Sequence, residues 1–194
     1  MSYKIITVSR QFGSGGRTIG KALAEKLGVP CYDSEIIEKV AAKSGMDKEY
    51  IAKKSESIRN SKLSGLFRSN YYYKSSDEDI IWAIQSKIIK EIAEEGPCVI
   101  VGGCADYILR DSDSIFRAFI CADMKSREER IVEFYGERED SPEKRLKDKD
   151  KRRASYYQLF TDMKWGDATN YDICLNSGVL GIDKCVDILY DICK

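Results

Sequence analysis

The 194-residue sequence contains no histidine. A Ser-His-Asp or Cys-His mechanism therefore lacks its base, and most catalytic zinc arrangements lack a ligand. Net charge is absent too: 32 Lys and Arg balance 32 Asp and Glu. The whole molecule is then no electrostatic trap for nucleic acid or an anionic membrane, and any attraction for anions must be local. No apolar run approaches the roughly 20 residues of a membrane helix. The opening MSYKIITVSR does not join a basic segment to a long apolar one, as a signal peptide does, so a cytoplasmic location is expected. No C-x-x-C pair occurs among the seven cysteines, Cys31, Cys98, Cys104, Cys121, Cys174, Cys185 and Cys193. Their number is odd and most sit in apolar runs, which predicts small, buried, reduced residues and no disulfide framework. Prolines are few: Pro30, Pro97 and Pro142, each where an element should begin.

What is present alternates in type along the chain. Residues 3–9, YKIITVS, are β-branched and apolar at their centre, as in a buried parallel strand. Gly16 to Leu27 set Ile19, Leu23 and Leu27 on one helical face, with Gly28 as the stop. VPCYD predicts a short strand and SEIIEKVAAKSG a helix ending at Gly45. Residues 46–75 lack clean periodicity. Ser76 is placed to cap the helix DEDIIWAIQSKIIKEIAEE, whose stripe is Ile80, Ile84, Ile88 and Ile92 and whose acidic start suits the helix dipole. PCVIVGG, IFRAFICA and NYDICLN predict strands; SREERIVEFYG, the charged stretch 141–164 and GIDKCVDILYDICK predict helices. Such alternation implies a parallel sheet covered on both faces, with ligands beyond the carboxyl ends of its strands.

SRQFGSGGRTIG, residues 9–20, follows the first strand at that edge. Gly13, Gly15 and Gly16 allow backbone N–H groups to turn inward without an intruding Cβ. The helix behind them offers unpaired amides and a dipole to an anion. The strict G-x-x-x-x-G-K-[ST] pattern is missing. With Gly15 as its last glycine, Gly16 takes the lysine position; with Gly16 as its last glycine, Arg17 takes that position and Thr18 supplies a magnesium-binding hydroxyl. The second register keeps a cation and a hydroxyl, and arginine can grip phosphate bidentately. The other reading is a tight strand-to-helix turn without a ligand.

The segment ITVSRQFGSGGRTIGKALAEKLGVPCYDSEII resembles the opening of the cytidylate kinase-like family, a branch of the nucleoside monophosphate kinases. The likeness continues in CVIVGGCADYIL, KDKRRASYYQLFT and WGDATNYDICLNSGVLGIDKCVDIL and is weakest over 46–75. The resemblance implies an α/β P-loop kinase fold: one domain over 1–194, an acceptor-binding insert near 46–75 and an arginine-bearing lid near 136–153. It implies ATP with Mg²⁺ as donor and a nucleoside monophosphate, CMP or dCMP, as acceptor. Catalysis in that class rests on positioning and charge neutralisation, which needs no histidine.

On this reading Gly13, Ser14, Gly15, Gly16, Arg17 and Thr18 cradle the donor phosphates. Residues 144–153, KRLKDKDKRR, hold seven basic residues against two acidic ones. Arg145, Arg152 and Arg153 are candidates to clamp the transferred group, with Arg152 and Arg153 as the catalytic pair beside Arg17; a solvated helix face is the alternative. Arg127 and Arg130 are weaker candidates. Asp33 and Ser34 are placed to meet the acceptor or simply to cap a helix. Asp106 is the nearest acid to hold magnesium with Thr18, or else a helix N-terminal acid. Residues 70–74, NYYYK, suit base stacking or packing. Related sequences carry an arginine after the third strand that helps to hold the acceptor monophosphate, and Gly103 stands in its place. Two other functions follow the same fold: a kinase of another small molecule, and a non-catalytic nucleotide-binding or regulatory protein. Small-molecule nucleotides are the expected partners, not nucleic acid or membrane, and no feature points to a homo-oligomer.

Overall fold

The computed structural model describes residues 3–46, 49 and 77–194. Its chain opens with β1 (Ile5–Arg10), α1 (Gly16–Leu27), β2 (Cys31–Tyr32) and α2 (Ser34–Ser44). Next come α3 (Asp77–Glu95), β3 (Cys98–Val101), the one-turn α4 (Ala105–Ile108), β4 (Ile115–Cys121) and α5 (Met124–Tyr135). α6 (Pro142–Thr161), a 3-10 turn at Ala168–Asn170, β5 (Ile173–Asn176), the one-turn α7 (Ser177–Leu180) and α8 (Ile182–Cys193) complete it. The strands lie in the order β2-β3-β1-β4-β5, and each described pairing is parallel. This is the α/β sheet that the alternation predicts. Residues 47, 48 and 50–76 lie outside the described residues, and with them most of the expected insert, the NYYYK segment and the Ser76 cap.

Local chemistry sets the boundaries. Pro30 and Pro97 each sit just ahead of a strand, and Pro142 opens α6 behind the Ser141 cap, where a missing N–H costs nothing. Gly28 ends α1 at φ 71°, its N–H reaching Ala24 and Glu25 carbonyls. Period-two alternation then sends each strand's side chains to two cores. Ile6 and Val8 of β1 pack with Ile19 and Leu23 of α1 and Cys185 and Leu189 of α8. Ile5 packs on the other face with Val40 of α2, Ile88 and Ile92 of α3, and Tyr156 of α6.

Two expectations change. The buried stripe of α3 is Ile81, Gln85, Ile88, Ile89 and Ile92, with Ile80 and Ile84 only half-buried. The helix is turned so that the Gln85 amide donates to the Gly103 carbonyl at 2.7 Å, a bond that the isoleucine spacing does not encode. All seven cysteines are free, and Cys98, Cys104, Cys185 and Cys193 are buried, but Cys31 and Cys121 are half-buried and Cys174 is exposed. Cys174 lies on β5, the sheet's edge, where alternate side chains face water. Among the described residues no helix is long and apolar enough to cross a membrane.

α1 lies close to the sheet because Gly20 has no side chain: a Cβ there would fall 2.6 Å from Val101 Cγ2. Gly20→Val should therefore lose about 1–3 kcal/mol by overpacking, read from the urea midpoint. An unchanged midpoint would show that α1 can lift away freely.

Candidate active site

The glycine loop joins β1 to α1 at the carboxyl edge of the sheet. The backbone amides of Gly13, Gly15, Gly16, Arg17 and Thr18 make no hydrogen bond among the described residues. They are the orphan donors of a helix start extended by a turn. Gly15 sits at φ 76°, and a Cβ on it would overlap Ile182 Cδ1, so the loop's own backing already demands glycine. Ser14 differs from its predicted role. Its side chain is fully buried, its Oγ donates to the Gln11 carbonyl at 2.9 Å and its N–H donates to the same oxygen at 3.3 Å. Ser14 thus locks the turn rather than facing a ligand.

The loop opens on a cleft of about 1330 Å³ whose lining holds nine Arg and Lys against five Asp and Glu. Arg17 and Thr18 both line it and are exposed. The Arg17 guanidinium pairs with Asp33, whose other oxygen lies 3.6 Å from Arg10 Nη2. Asp33 therefore faces the cleft between two arginines. Ser34 opens α2 beside it, and its side chain lies outside the described residues.

α6 closes the far side, and its phase separates the basic residues. Asp150 accepts from the Phe12 N–H at 2.7 Å and from Arg127 Nη1 at 2.5 Å. Arg127 also donates to the Phe12 carbonyl at 3.2 Å and is buried, so it builds the loop rather than meeting a ligand. Arg130 donates to Ser177 Oγ and carbonyl at 3.0 and 2.8 Å, and Ser177 Oγ in turn donates to the Ser14 carbonyl at 2.5 Å. Arg153 donates to the Arg10 carbonyl at 3.0 Å and lies over the Phe12 ring. Arg145 donates to the Gly136 carbonyl at 3.0 Å. Arg152 is exposed, lines the cleft and has no hydrogen bond or ion pair among the described residues.

Asp106 is not in that cleft. Its side chain is buried, accepting from Ser9 Oγ at 3.3 Å and from the Tyr157 hydroxyl at 2.8 Å. Burial pushes its carboxyl above the ordinary range, and the Tyr157 and Ser9 bonds only partly oppose it. Burial and then the Asp106 charge push the Tyr157 hydroxyl up as well. With both oxygens engaged, Asp106 ties β1 and α4 to α6 and offers no ligand to the cleft. Gly103 sits at φ 67°, with its carbonyl taken by Gln85.

The sequence left several of these residues without a role. Asp150 and Ser177 could not be found from spacing, since they meet the loop across 138 and 163 residues. Arg10 carried a weak signal, a cation at the exact end of a predicted strand ahead of a glycine loop.

The cytidylate kinase-like family matches residues 5–179. The chain belongs to that family. A cytidylate kinase from Archaeoglobus fulgidus is 27% identical over 188 residues, which span 95% of this chain and 91% of that one. An uncharacterized protein from Eubacterium ventriosum has a similar crystal structure, with a TM-score of 0.73, 29% identity and 97% of each chain covered. Shikimate kinase from Bacteroides thetaiotaomicron shares the fold, with a TM-score of 0.58 at 17% identity over 97% of each chain. These relatives bear out the resemblance and the P-loop kinase fold. Membership of a kinase-like phosphotransferase family implies ATP as the phosphoryl donor.

Two outcomes follow from Asp150 and Asp106. Asp150→Ala leaves Arg127 buried and unpaired and should cost about 3 kcal/mol, with a smaller loss for Asp150→Asn; thermal unfolding checks the order. Asp106 binds its proton more tightly folded than unfolded. Its contribution to stability therefore falls as pH rises from the ordinary carboxylate value of 3.8 through the raised one. Asp106→Asn should flatten the decline in urea midpoint as pH rises above the ordinary carboxylate range; an unchanged slope would assign the decline elsewhere.

Proposed function

We propose that the protein transfers the γ-phosphoryl group of ATP to a nucleoside monophosphate, CMP or dCMP. The observation that carries this reading is the set of five amides that, among the described residues, are unpaired and open on a cleft with a surplus of cations. Unpaired N–H groups at a helix start and a surrounding positive field are what a polyphosphate requires. The cleft exceeds the roughly 300–1,000 Å³ of an ordinary small-ligand pocket, which suits a donor and an acceptor side by side. The whole chain, 1–194, acts as one domain, with 46–75 as the acceptor insert and 136–153 as the lid.

The acceptor's phosphate oxygen attacks the γ-phosphorus, the bond to the β,γ-bridging oxygen breaks, and ADP leaves with that electron pair. The attacking phosphate is already ionised, so no base is needed. The chain's residues supply position and charge. Gly13, Gly15 and Gly16 offer amides to the donor phosphates. Arg17 leaves Asp33 for the donor, and Asp33 is then free to accept from the acceptor's hydroxyls. Arg152 faces the transferred group, while Arg153 holds α6 to the end of β1.

Mg²⁺ bound to the triphosphate supplies charge neutralisation in such a site. Thr18, exposed in the cleft, would hold it there; Asp106 would not, being buried and engaged. Among the described residues no group of three metal-ligating side chains exists. That suits an ion whose ligands are mostly phosphate oxygens and waters.

The test is ADP and diphosphate formation from Mg·ATP with a panel of nucleoside monophosphates, CMP and dCMP first. Arg17→Ala should weaken ATP binding by calorimetry. Arg152→Ala should lower kcat about 100-fold with little change in donor affinity, and Arg153→Ala should disturb both. ATP binding without turnover on any nucleotide would shift the reading to another small-molecule acceptor.

A further inference from the structure

We infer that Arg10 is the residue that reads the anionic group of the acceptor, with Asp33 as the counter-ion it gives up on binding. This rests on the kinase reading above and adds a specificity-determining residue to it. Beside the main cleft lies a smaller cavity of about 120 Å³. Three residues line both: Arg10, Asp33 and Arg153. They lie where the main cleft and the smaller cavity adjoin. The smaller cavity is also lined by Gln85, Gly102 and Gly103, with Tyr156, Tyr157 and Trp165 as an aromatic side. Its volume is that of about four waters, enough for a tetrahedral oxyanion and too little for a nucleoside.

The Arg10 side chain is held for that task. Arg10 is the last residue of β1, so its backbone is fixed by the central strand of the sheet, and its carbonyl is held by Arg153. Its guanidinium lies over Gly102: a Cβ at that position would overlap Nη1. Gly102, at φ 78°, leaves the space that the guanidinium fills. The side chain is 20% exposed and Asp33 is 15% exposed, so the pair is shielded yet reachable from the cavity. Its 3.6 Å separation exceeds that of a formed charge-assisted hydrogen bond. Asp33 lies closer to Arg17. The Arg10–Asp33 pair is therefore a loose one, and the planar fork of Arg10 matches an oxyanion. Once a donor draws Arg17 away, Asp33 turns to the acceptor's hydroxyls and Arg10 to its charge.

The experiment uses the full chain saturated with Mg²⁺ and a non-hydrolysable ATP analogue, so that the glycine loop is filled. Calorimetry then follows CMP, cytidine and inorganic phosphate. The expected result is CMP tighter than cytidine by about tenfold or more, with the preference falling to about twofold in Arg10→Gln and analogue affinity preserved. Arg10→Lys keeps a charge without the planar fork and should lie between. Asp33→Asn should bind phosphate more tightly while turnover falls, opposite signs that a merely structural role would not give. Far-UV circular dichroism confirms folding, and Arg17→Ala run in parallel identifies phosphate bound at the loop. A CMP preference that survives Arg10→Gln, or weaker phosphate binding in Asp33→Asn, overturns the inference. So does the absence of phosphate binding to the wild-type protein. Arg10-dependent phosphate binding with no binding of CMP or cytidine would keep the Arg10 assignment and remove the nucleotide acceptor.

Discussion

The Asp150 carboxylate joins three elements at one point. One oxygen takes the Phe12 N–H of the glycine loop and the other takes the Arg127 guanidinium of α5, while its own backbone belongs to α6. A glycine-rich turn loses more backbone entropy on ordering than other chain does, so it needs anchors from outside itself. Asp150 supplies one at Phe12. Ser177 supplies the other at the Ser14 carbonyl, and Arg130 holds Ser177 in place. The amides of Gly13, Gly15, Gly16, Arg17 and Thr18 can stay unpaired among the described residues because the chain around them is fixed from behind. Buried ion pairs add little net stability to a fold; what this one secures is the position of the loop relative to the charged helix.

Burial sorts the arginines by what each can do. Arg127 is almost fully enclosed, and moving it would strand a charge away from water. It is therefore fixed. Arg17 is half exposed in its pair with Asp33, and exposed pairs are weak and screened by salt. It can exchange that carboxylate for phosphate at small cost. Arg153 stands between, tied to a carbonyl and lying over an aromatic ring. Arg152, next to it in sequence, points to the cleft. A cleft with this surplus of cations holds a mutually repulsive set, and its acids keep that set in place.

The layer order and most element boundaries were legible because they are local. Apolar runs of four to seven residues made strands, Gly28 ended α1, and Pro142 began α6. The glycine loop was legible for the same reason. The site's second layer was not, since each of its bonds joins distant segments: Asp150 to Phe12, Ser177 to Ser14, Tyr157 to Asp106. A basic run read as sequence gives equal weight to Arg152 and Arg153, though a helix turns them about 100° apart. Only the phase of α6, set by buried Tyr156 and Tyr157, separates the residue that faces the cleft from the one that clasps β1. The same missing phase displaced the stripe of α3, where isoleucines at 80, 81, 84, 88, 89 and 92 fit more than one face.

Gly103 shows why a departure from kin must be judged in space. Read along the chain, it removes an arginine from the acceptor end. In the fold, Gly102 and Gly103 both adopt left-handed backbone, at φ 78° and 67°, where a side chain is strained. That curl turns the Gly103 carbonyl to Gln85 and clears the space above Gly102 that the Arg10 guanidinium occupies. The loss of a cation at one strand end and the presence of one at the next are thus a single arrangement. β3 gives up its side chains at the tip, and β1, directly paired with it, reaches across with its own. A cation therefore stands beside the tip of β3 although position 103 carries none.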